Sequence, residues 1–287
     1  MAEPGALASP EWLSANLGDP SLRVLDATVW LELDPEGGDV RIESGRATWA
    51  QGHIPGAGFA DLIELSDPVD PLRFMLPTAE AFAEGMSALG VGPGTHVVAY
   101  DAEDGIWAAR LWWMLRVFGF DAVSVLDGGW KAWTAEGRPV STEPPEHPPA
   151  RFEAAFRPEL VATRKQVEEY VADGGTCLVN ALPAALHRGE APVAHKRAGR
   201  IPGSVNVPSR HLLDPESGRF LPLERLREPF AAVGALEDRP VVTYCGGAIA
   251  AAMDAFALAL LGRDDVAVYD GSLVEWAEDP GAPLETG

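Results

Sequence analysis

The sequence predicts an α/β protein made of two tandem copies of one domain, each a mostly parallel sheet flanked by helices. Two observations support this prediction: four motifs recur in the same order, and short apolar segments alternate with helix-like segments. The recurring pairs are "VLDA" (24–27) with "LVNA" (178–181), "GHIPGA" (52–57) with "GRIPGS" (199–204), "HVVAYD" (96–101) with "PVVTYC" (240–245), and "VLDGGWKAW" (125–133) with "VYDGSLVEW" (268–276).

The first helix of each copy carries its own start signal. "SPEWLSANLG" offers Ser9 as the N-cap and Pro10 as the first helical residue. "TRKQVEEYVADGG" pairs Thr163 with Gln166 in a capping box and ends on glycines. A short apolar segment follows each helix, "LRVLDA" in one copy and "TCLVNA" in the other, and predicts a buried strand.

The second half of each copy repeats this alternation. "HVVAYD" and "PVVTYC" are apolar runs too short for helices, and the apolar helical segments "AARLWWMLRVFGF" and "AAMDAFALALLG" follow them. The segments "AVSVLDGG" and "VAVYDGS" then predict further strands. In parallel sheets ligands bind beyond the carboxyl ends of the strands, and Cys245 lies at such an end.

A proline-rich segment, "STEPPEHPPARF" at 141–152, separates the two copies. Its composition is typical of a semi-rigid extended linker. We therefore expect a first domain at 1–143, a linker at 144–155 and a second domain at 156–287.

Composition narrows the classes of partner. The chain has 287 residues, 47% of them apolar, with a formal net charge of −21. Such a surface repels nucleic acid and anionic membranes. From the sequence we expect no secretory signal, no membrane-spanning run, no disulfide framework from its two cysteines, and no zinc site among its six histidines. We expect a cytoplasmic protein with no metal, cofactor, nucleic-acid or membrane partner.

Cys245 lies between a predicted strand and a predicted helix. Small residues let the loop curl so that its N–H groups point inward, and the helix N-terminus adds positive potential. Both effects lower the pKa of a thiol and hold an anion against it, so we expect a nucleophilic Cys245. A cysteine that merely packs is the alternative. The residues of the expected anion-binding loop are Gly246, Gly247, Ala248, Ile249 and Ala250.

Neither Cys177 nor the first copy of the domain is expected to supply a nucleophile. Cys177 sits inside a predicted strand without such a loop, and we expect it in the core. Asp101 occupies the position in the first copy that matches Cys245. A carboxylate cannot act as a thiolate, so the first domain is expected to be a non-catalytic scaffold that supplies one wall of the cleft.

The order of these motifs, with "MLP" at 75–77 and "VVTYCGGAIAA" at 241–251, resembles the tandem rhodanese-type sulfurtransferases over nearly the whole chain. That group includes thiosulfate and 3-mercaptopyruvate sulfurtransferases. The resemblance implies two rhodanese-like α/β domains, with the active cysteine in the second and often an aspartate in the first, which matches Cys245 and Asp101. It implies that Cys245 takes a sulfane sulfur as a persulfide and passes it to cyanide or a thiol, with a sulfur-accepting protein as a further candidate partner.

The chain departs from the family at the residues that grip substrate. Gly246 and Gly247 stand where the family carries Arg-Lys, which goes with thiosulfate, or Gly-Ser, which goes with mercaptopyruvate. Asn180–Leu182 replaces Asp-x-Arg, and Phe74 replaces a histidine common before "MLP" in mercaptopyruvate enzymes. Glycine is usual in the family at position 248, where this chain has alanine. The resemblance therefore covers the fold and the persulfide chemistry but not the identity of the donor.

A basic segment offers a partial replacement for the missing side chains. Residues 187–211 hold five Lys or Arg and one Glu within an acidic protein, and by resemblance this segment approaches the mouth of the site. We expect Arg188, Arg200 and Arg197 to recruit an anionic sulfur donor. A solvated loop with scattered charges is the alternative.

Three other functions are compatible with parts of the sequence. Cysteine phosphatases need Cys-x5-Arg, and the residue at that position is Ala251, which counts against them. A non-catalytic binding or sulfur-carrier module that keeps the fold is supported by the missing substrate residues, whereas the retained Cys245 and its glycine loop count against a pure scaffold. A relay that serves a specialised biosynthetic sulfur donor keeps the cysteine, and the two glycines would leave room for a bulky donor.

Overall fold

Two parallel five-stranded sheets form the framework of the computed structural model, which describes residues 5–33, 40–193 and 195–287. The strands of the first half are β1 (Leu7–Ala8), β2 (Leu22–Asp26), β3 (Val29–Leu33), β4 (Val40–Ser44), β5 (Gly58–Phe59), β6 (His96–Tyr100) and β7 (Val123–Leu126). Those of the second half are β8 (Val161–Ala162), β9 (Cys177–Asn180), β10 (Val205–Asn206), β11 (Val241–Tyr244) and β12 (Ala267–Tyr269).

The two sheets have the same strand order. The first runs β1-β7-β6-β2-β5 and the second β10-β9-β11-β12-β8, with every neighbouring pair parallel. Read from the opposite edge, the second order matches the first strand for strand. The prediction of two copies of one mostly parallel α/β domain is therefore confirmed.

Helices cover the sheets, and their observed caps follow from the sequence. The helices are α1 (Pro10–Asn16), α2 (Arg46–Gln51), α3 (Ala79–Ala88), α4 (Ile106–Val117), α5 (Gly129–Ala135), α6 (Arg164–Asp173), α7 (Ala184–His187), α8 (Leu223–Ala232), α9 (Ile249–Leu260) and α10 (Ser272–Trp276). The Ser9 hydroxyl accepts the Trp12 amide at 3.1 Å, and Thr163 forms the expected capping box with Gln166. Both predicted helix starts are confirmed. The described residues contain no helix that is long and apolar enough to cross a membrane.

Several elements were not predicted, among them helices α3 and α8 and one pair of strands in the first half. Strands β3 and β4 form an antiparallel hairpin in the first half, next to the carboxyl end of β2. The equivalent stretch of the second half folds into the short helix α7. The repeat comparison missed the hairpin because no recurring motif covers it.

The proline-rich segment packs along the first domain. No helix or strand lies between Ser141 and Pro158. The Phe152 amide donates to the Ser87 hydroxyl at 2.9 Å, and the Phe152 ring meets Phe82 edge-on at 5.7 Å. Phe152 thus anchors the segment on the first domain. The domain boundaries 1–143, 144–155 and 156–287 stay a prediction.

Helices α4 and α9 join the two domains. Both are apolar on nearly all sides, as expected for helices buried between a sheet and a second domain. Trp112 of α4 meets Phe256 of α9 edge-on at 5.0 Å. The two residues occupy equivalent positions in the repeat, so an approximate two-fold axis passes between them.

Candidate active site

Cys245 directly follows the central strand of the second sheet, β11. Strand β11 pairs with β9 on one side and β12 on the other, and all four of its residues are buried. The chain then curls and enters α9 at Ile249. Cys245 is only 3% exposed, and we call residues 245–251 the Cys245 loop.

Three backbone amides of this loop point at the thiol. The amides of Ala251, Gly247 and Ala250 act to lower the pKa of Cys245, but burial acts more strongly and raises that pKa above its usual value. The expectation of a lowered thiol pKa was therefore wrong. The loop amides can donate to an anion at Cys245, whereas desolvation disfavours the thiolate.

Ala248 shapes the loop by turning its amide away from the thiol. It takes the left-handed conformation, with φ +61°, and is fully buried. This conformation costs a non-glycine residue about 1 kcal/mol. Its N–H donates to the Ser272 hydroxyl at 3.2 Å instead of facing Cys245. The curl is kept although glycine is absent at 248.

Ser272 is a site residue that the sequence analysis missed. Its hydroxyl accepts the amides of Cys245 at 3.1 Å and Ala248 at 3.2 Å and donates to the Tyr269 carbonyl at 2.8 Å. Ser272 has φ +47°, and the equivalent Gly129 has φ +52°. A serine aligned with a glycine that needs positive φ is the sequence signal that points to a retained, strained residue.

The turn after β12 makes two further bonds to the Cys245 loop. The Leu273 amide donates to the Cys245 carbonyl at 3.1 Å, and the Val274 amide donates to the Gly246 carbonyl at 2.9 Å. With the Ser272 bonds, the turn therefore fixes the loop at both ends of its curl.

The first domain shows what this loop geometry holds. The Asp101 carboxylate accepts four backbone amides at 2.9–3.0 Å, from Glu103, Gly105, Trp107 and Ala108. Burial raises its pKa to about 6, although these amides act in the opposite direction. The loop of the first copy thus encloses a carboxyl group at the position where the second copy has a thiol.

The mouth of the Cys245 loop is open at its glycines. A Cβ placed on Gly246 would meet no heavy atom within 4 Å, and one on Gly247 would meet only Val274, at 4.0 Å. Both glycine positions therefore have room for the start of a side chain. Phe74 of the first domain is buried, and its ring packs at a tilted angle against Trp107, with the ring centroids 5.1 Å apart.

The segment after β9 forms a turn, but Leu182 stands where the related sequences carry an arginine. The Asn180 carbonyl oxygen Oδ1 accepts the Leu182 amide at 2.9 Å, so it serves as the cap of this turn. Arg188 follows α7 and pairs with Glu190 at 2.7 Å, with 43% of its side chain exposed. Of the three predicted arginines it is the most exposed.

Arg200 and Arg197 are engaged near the carboxyl-terminal end of the chain. Arg200 donates to the Gly287 carbonyl at 2.8 Å and lies 3.4 Å from Glu285. Arg197 donates to the backbone carbonyl of Asp279 at 2.5 Å. Among the described residues, the hydrogen bonds and ion pairs of the three arginines do not reach the Cys245 loop, so their role in donor binding stays a prediction.

Two buried groups complete the surroundings. Cys177 is buried in β9, and burial raises its thiol pKa, as expected for a core residue. Asp254 of α9 is fully buried, and neither carboxylate oxygen has a hydrogen-bond partner in the described structure. Burial raises the pKa of Asp254 well above its usual value. The described residues also contain no cluster of His, Cys, Asp and Glu that could hold a metal ion.

The doubled α/β fold, with a cysteine enclosed by amides in one half and an aspartate in the other, defines a two-domain sulfurtransferase. The rhodanese-like domain model matches residues 9–136 and 163–279, and the chain belongs to this family. It is 37% identical to bovine thiosulfate sulfurtransferase, over 98% of this chain and 94% of that protein. It is also 37% identical to human 3-mercaptopyruvate sulfurtransferase, over 94% and 91%.

A solved structure agrees with this assignment. The crystal structure of SseA from Escherichia coli, described as a 3-mercaptopyruvate sulfotransferase with the rhodanese fold, superposes with a TM-score of 0.82 at 34% identity. The match covers 94% of this chain and 99% of that one. The family and the sulfurtransferase activity expected from the motifs are confirmed.

Proposed function

We propose that Cys245 carries the transferred sulfur as a persulfide held by the Cys245 loop. The observation that carries this proposal is the Asp101 carboxylate in the equivalent loop, bound by four amides. An aspartate oxygen and the outer sulfur of a cysteine persulfide both lie two bonds beyond Cβ. The carboxylate of the first domain therefore occupies the place that the persulfide anion takes in the second.

The reaction has two balanced steps. In the first, the Cys245 thiolate attacks the outer sulfur of the donor; the new S–S bond forms while the donor's bond to that sulfur breaks, and the donor remnant leaves with the electron pair. In the second, an acceptor nucleophile attacks the outer sulfur, and the Sγ–S bond breaks to restore the Cys245 thiolate. No external oxidant or reductant is needed.

The loop favours the charged intermediate over the resting thiol. A persulfide is more acidic than a thiol, so it is the anion at neutral pH and uses the amides of Gly247, Ala250 and Ala251 fully. The buried thiol must first lose its proton, and its raised pKa makes that step costly. We therefore expect sulfur loading to accelerate as the pH rises toward the thiol pKa.

The donor class follows from the relatives and from the charge near the site. The relatives named above act on thiosulfate or 3-mercaptopyruvate, and we propose an anionic donor of the same type for this chain. Arg188 is our first candidate to recruit it, because its side chain is the most exposed of the three, and Arg200 and Arg197 are the further candidates. Cyanide or a thiol is the acceptor, with a sulfur-accepting protein as a further candidate. Two free cysteines suit a reducing compartment, so we place the reaction in the cytoplasm.

One observation favours a second candidate role. The open space over Gly246 and Gly247, without a basic or hydroxyl side chain, suits a bulky donor or a protein persulfide better than a small anion. In that case the protein is a relay for a specialised sulfur donor. The same Cys245 persulfide serves both roles, and only donor preference separates them.

Steady-state thiocyanate formation tests the proposal. The wild type is assayed with thiosulfate and with 3-mercaptopyruvate, with cyanide as acceptor, beside Cys245→Ser and the matched control Cys177→Ser. We expect turnover to vanish in Cys245→Ser and to survive in Cys177→Ser. Equal activity in both variants would overturn the assignment. A double Arg188→Gln/Arg200→Gln variant with an unchanged KM for the donor would remove the arginines from the proposal.

A further inference from the structure

A buried ion pair crosses from the first domain to the turn that frames the Cys245 loop. Arg110 Nη1 of α4 lies 2.7 Å from Asp270 Oδ1, with the two side chains 1% and 7% exposed. The second carboxylate oxygen accepts the Leu76 amide at 2.8 Å, and Arg110 Nη2 donates to the Phe74 carbonyl at 2.5 Å. Both oxygens of this second-domain carboxylate are therefore held by the first domain.

Asp270 stands two residues before Ser272, the residue that collects the loop amides. Ser272 is held at φ +47°, where a serine persists only if its surroundings fix it. The bonds from Ser272 to the amides of Cys245 and Ala248 depend on that conformation. A restraint on Asp270 is thus a restraint on the Cys245 loop.

The repeat supplies an internal comparison. Asp127 is the first-domain equivalent of Asp270, and it accepts the Phe220 amide at 2.9 Å, just as Asp270 accepts the Leu76 amide. The position equivalent to Arg110, 144 residues on, is Asp254, which makes no ion pair. Arg110 therefore binds the aspartate of the domain that carries the cysteine, and the equivalent position in the second domain holds Asp254 instead of an arginine.

Asp127 has a different and weaker charge partner. Arg219 approaches it at 3.8 Å, and the side chain of Arg219 is 31% exposed. The first domain, which holds a carboxylate and performs no transfer, thus lacks the buried brace. Both domains share the fold and the hydrogen bond from a backbone amide to this aspartate. The buried arginine pair is found on the aspartate of the domain that carries Cys245, so it correlates with the cysteine and not with the fold.

We propose that Arg110 is a positioning residue for sulfur transfer: acting through Asp270, it fixes Ser272 and so keeps the amides of the Cys245 loop aimed at the persulfide. The non-catalytic domain then controls the reactive loop of its partner domain. The inference rests on the proposed persulfide at Cys245.

The test compares Asp270→Asn with its pseudo-symmetric control Asp127→Asn. Both substitutions keep the side-chain volume and an acceptor for the facing amide. Two rates are followed: alkylation of Cys245 by iodoacetamide across pH, read on the Cys245 peptide by mass spectrometry, and kcat and KM for thiocyanate formation. Unfolding by urea is measured on the same samples.

We expect Asp270→Asn to lower kcat roughly tenfold or more while KM changes less, because a displaced loop weakens transition-state contacts. Alkylation of the exposed, loosened Cys245 should become faster and its pH profile should shift. Asp127→Asn should leave both rates within about twofold of the wild type. Arg110→Lys keeps the buried charge but not the two-pronged contact, and it should fall between the wild type and Asp270→Asn.

Equal changes in Asp270→Asn and Asp127→Asn, scaled to their loss of stability, would overturn the proposal and leave Arg110 a structural residue. An unchanged Cys245 pH profile in both Asp270→Asn and Arg110→Lys would overturn it too. Alkylation needs no sulfur donor, so it reports on the brace even if the wild type takes no sulfur from thiosulfate. Failure of the proposed function and failure of this inference are therefore distinguishable.

Discussion

Removal of the Ser272 hydroxyl should impair sulfur transfer at the Cys245 loop without unfolding the protein. Ser272→Ala deletes the acceptor shared by the amides of Cys245 and Ala248, as well as the donor to the Tyr269 carbonyl. It keeps the positive φ of position 272, which alanine tolerates no better than serine. Ser272→Gly deletes the same bonds but removes the conformational strain.

The magnitude follows from the buried groups that are left without partners. Each unpaired buried amide or carbonyl costs about 1–3 kcal/mol, and partial relaxation brings the expected loss for Ser272→Ala to about 2–4 kcal/mol. A non-glycine residue at positive φ costs about 1 kcal/mol, so Ser272→Gly should be more stable than Ser272→Ala by that amount. Both variants should transfer sulfur at least about tenfold more slowly, since the loop amides lose their anchor.

Urea unfolding and donor-dependent sulfur loading measure these two effects separately. Ser124→Ala is the matched control, because Ser124 is a fully buried strand serine of the first domain that donates to the Gly5 carbonyl. It should cost about 1 kcal/mol or more of stability and leave loading unchanged. An unfolding free energy of Ser272→Ala within about 0.5 kcal/mol of the wild type, or loading as fast as in Ser124→Ala, would refute the reasoning.

Three further predictions concern the loop and helix α9. Gly246→Arg with Gly247→Lys should fold and raise kcat/KM for thiosulfate, because both positions face open space; unchanged kinetics would contradict this. Ala248→Gly should change stability by less than about 1 kcal/mol, since relief of strain offsets the lost buried methyl group; a loss above about 2 kcal/mol in urea unfolding would contradict it. Asp254→Leu should stabilise the fold by about 1–3 kcal/mol at pH 7. The folded pKa of Asp254 lies above the unfolded value, so its cost appears as the pH rises above about 4 and the gain should shrink at low pH; a gain that does not vary with pH would refute this.

Much of the fold could be predicted because the sequence contains two copies of the same domain. The recurring "VVAYD" and "VVTYC" strands and the capped helices at Ser9 and Thr163 rest on local periodicity and cap chemistry, which sequence carries directly. The β3–β4 hairpin occurs in one copy only, so the repeat gave no signal for it. The position of Cys245 at a strand end followed from the alternation of strands and helices.

The rest of the site depends on contacts between distant residues. The partners Arg110 and Asp270 are 160 positions apart, and their pairing needs the packing of α4 against the second domain. The thiol pKa was misjudged because the loop amides are local in sequence, whereas the burial that outweighs them depends on tertiary packing around Cys245. Nothing in the sequence indicates that Arg197 and Arg200 donate hydrogen bonds to backbone carbonyls near the carboxyl-terminal end, because these acceptors lie about 80 positions away.

The intact mass of the protein after incubation with a sulfur donor tests the central claim most directly. Wild type and Cys245→Ser are each incubated with thiosulfate and, separately, with 3-mercaptopyruvate, and then with cyanide. The persulfide account predicts one added sulfur atom on the wild type alone, removed by cyanide. A sulfur atom added equally to Cys245→Ser, or a wild type that turns over either donor without ever gaining mass, would contradict it.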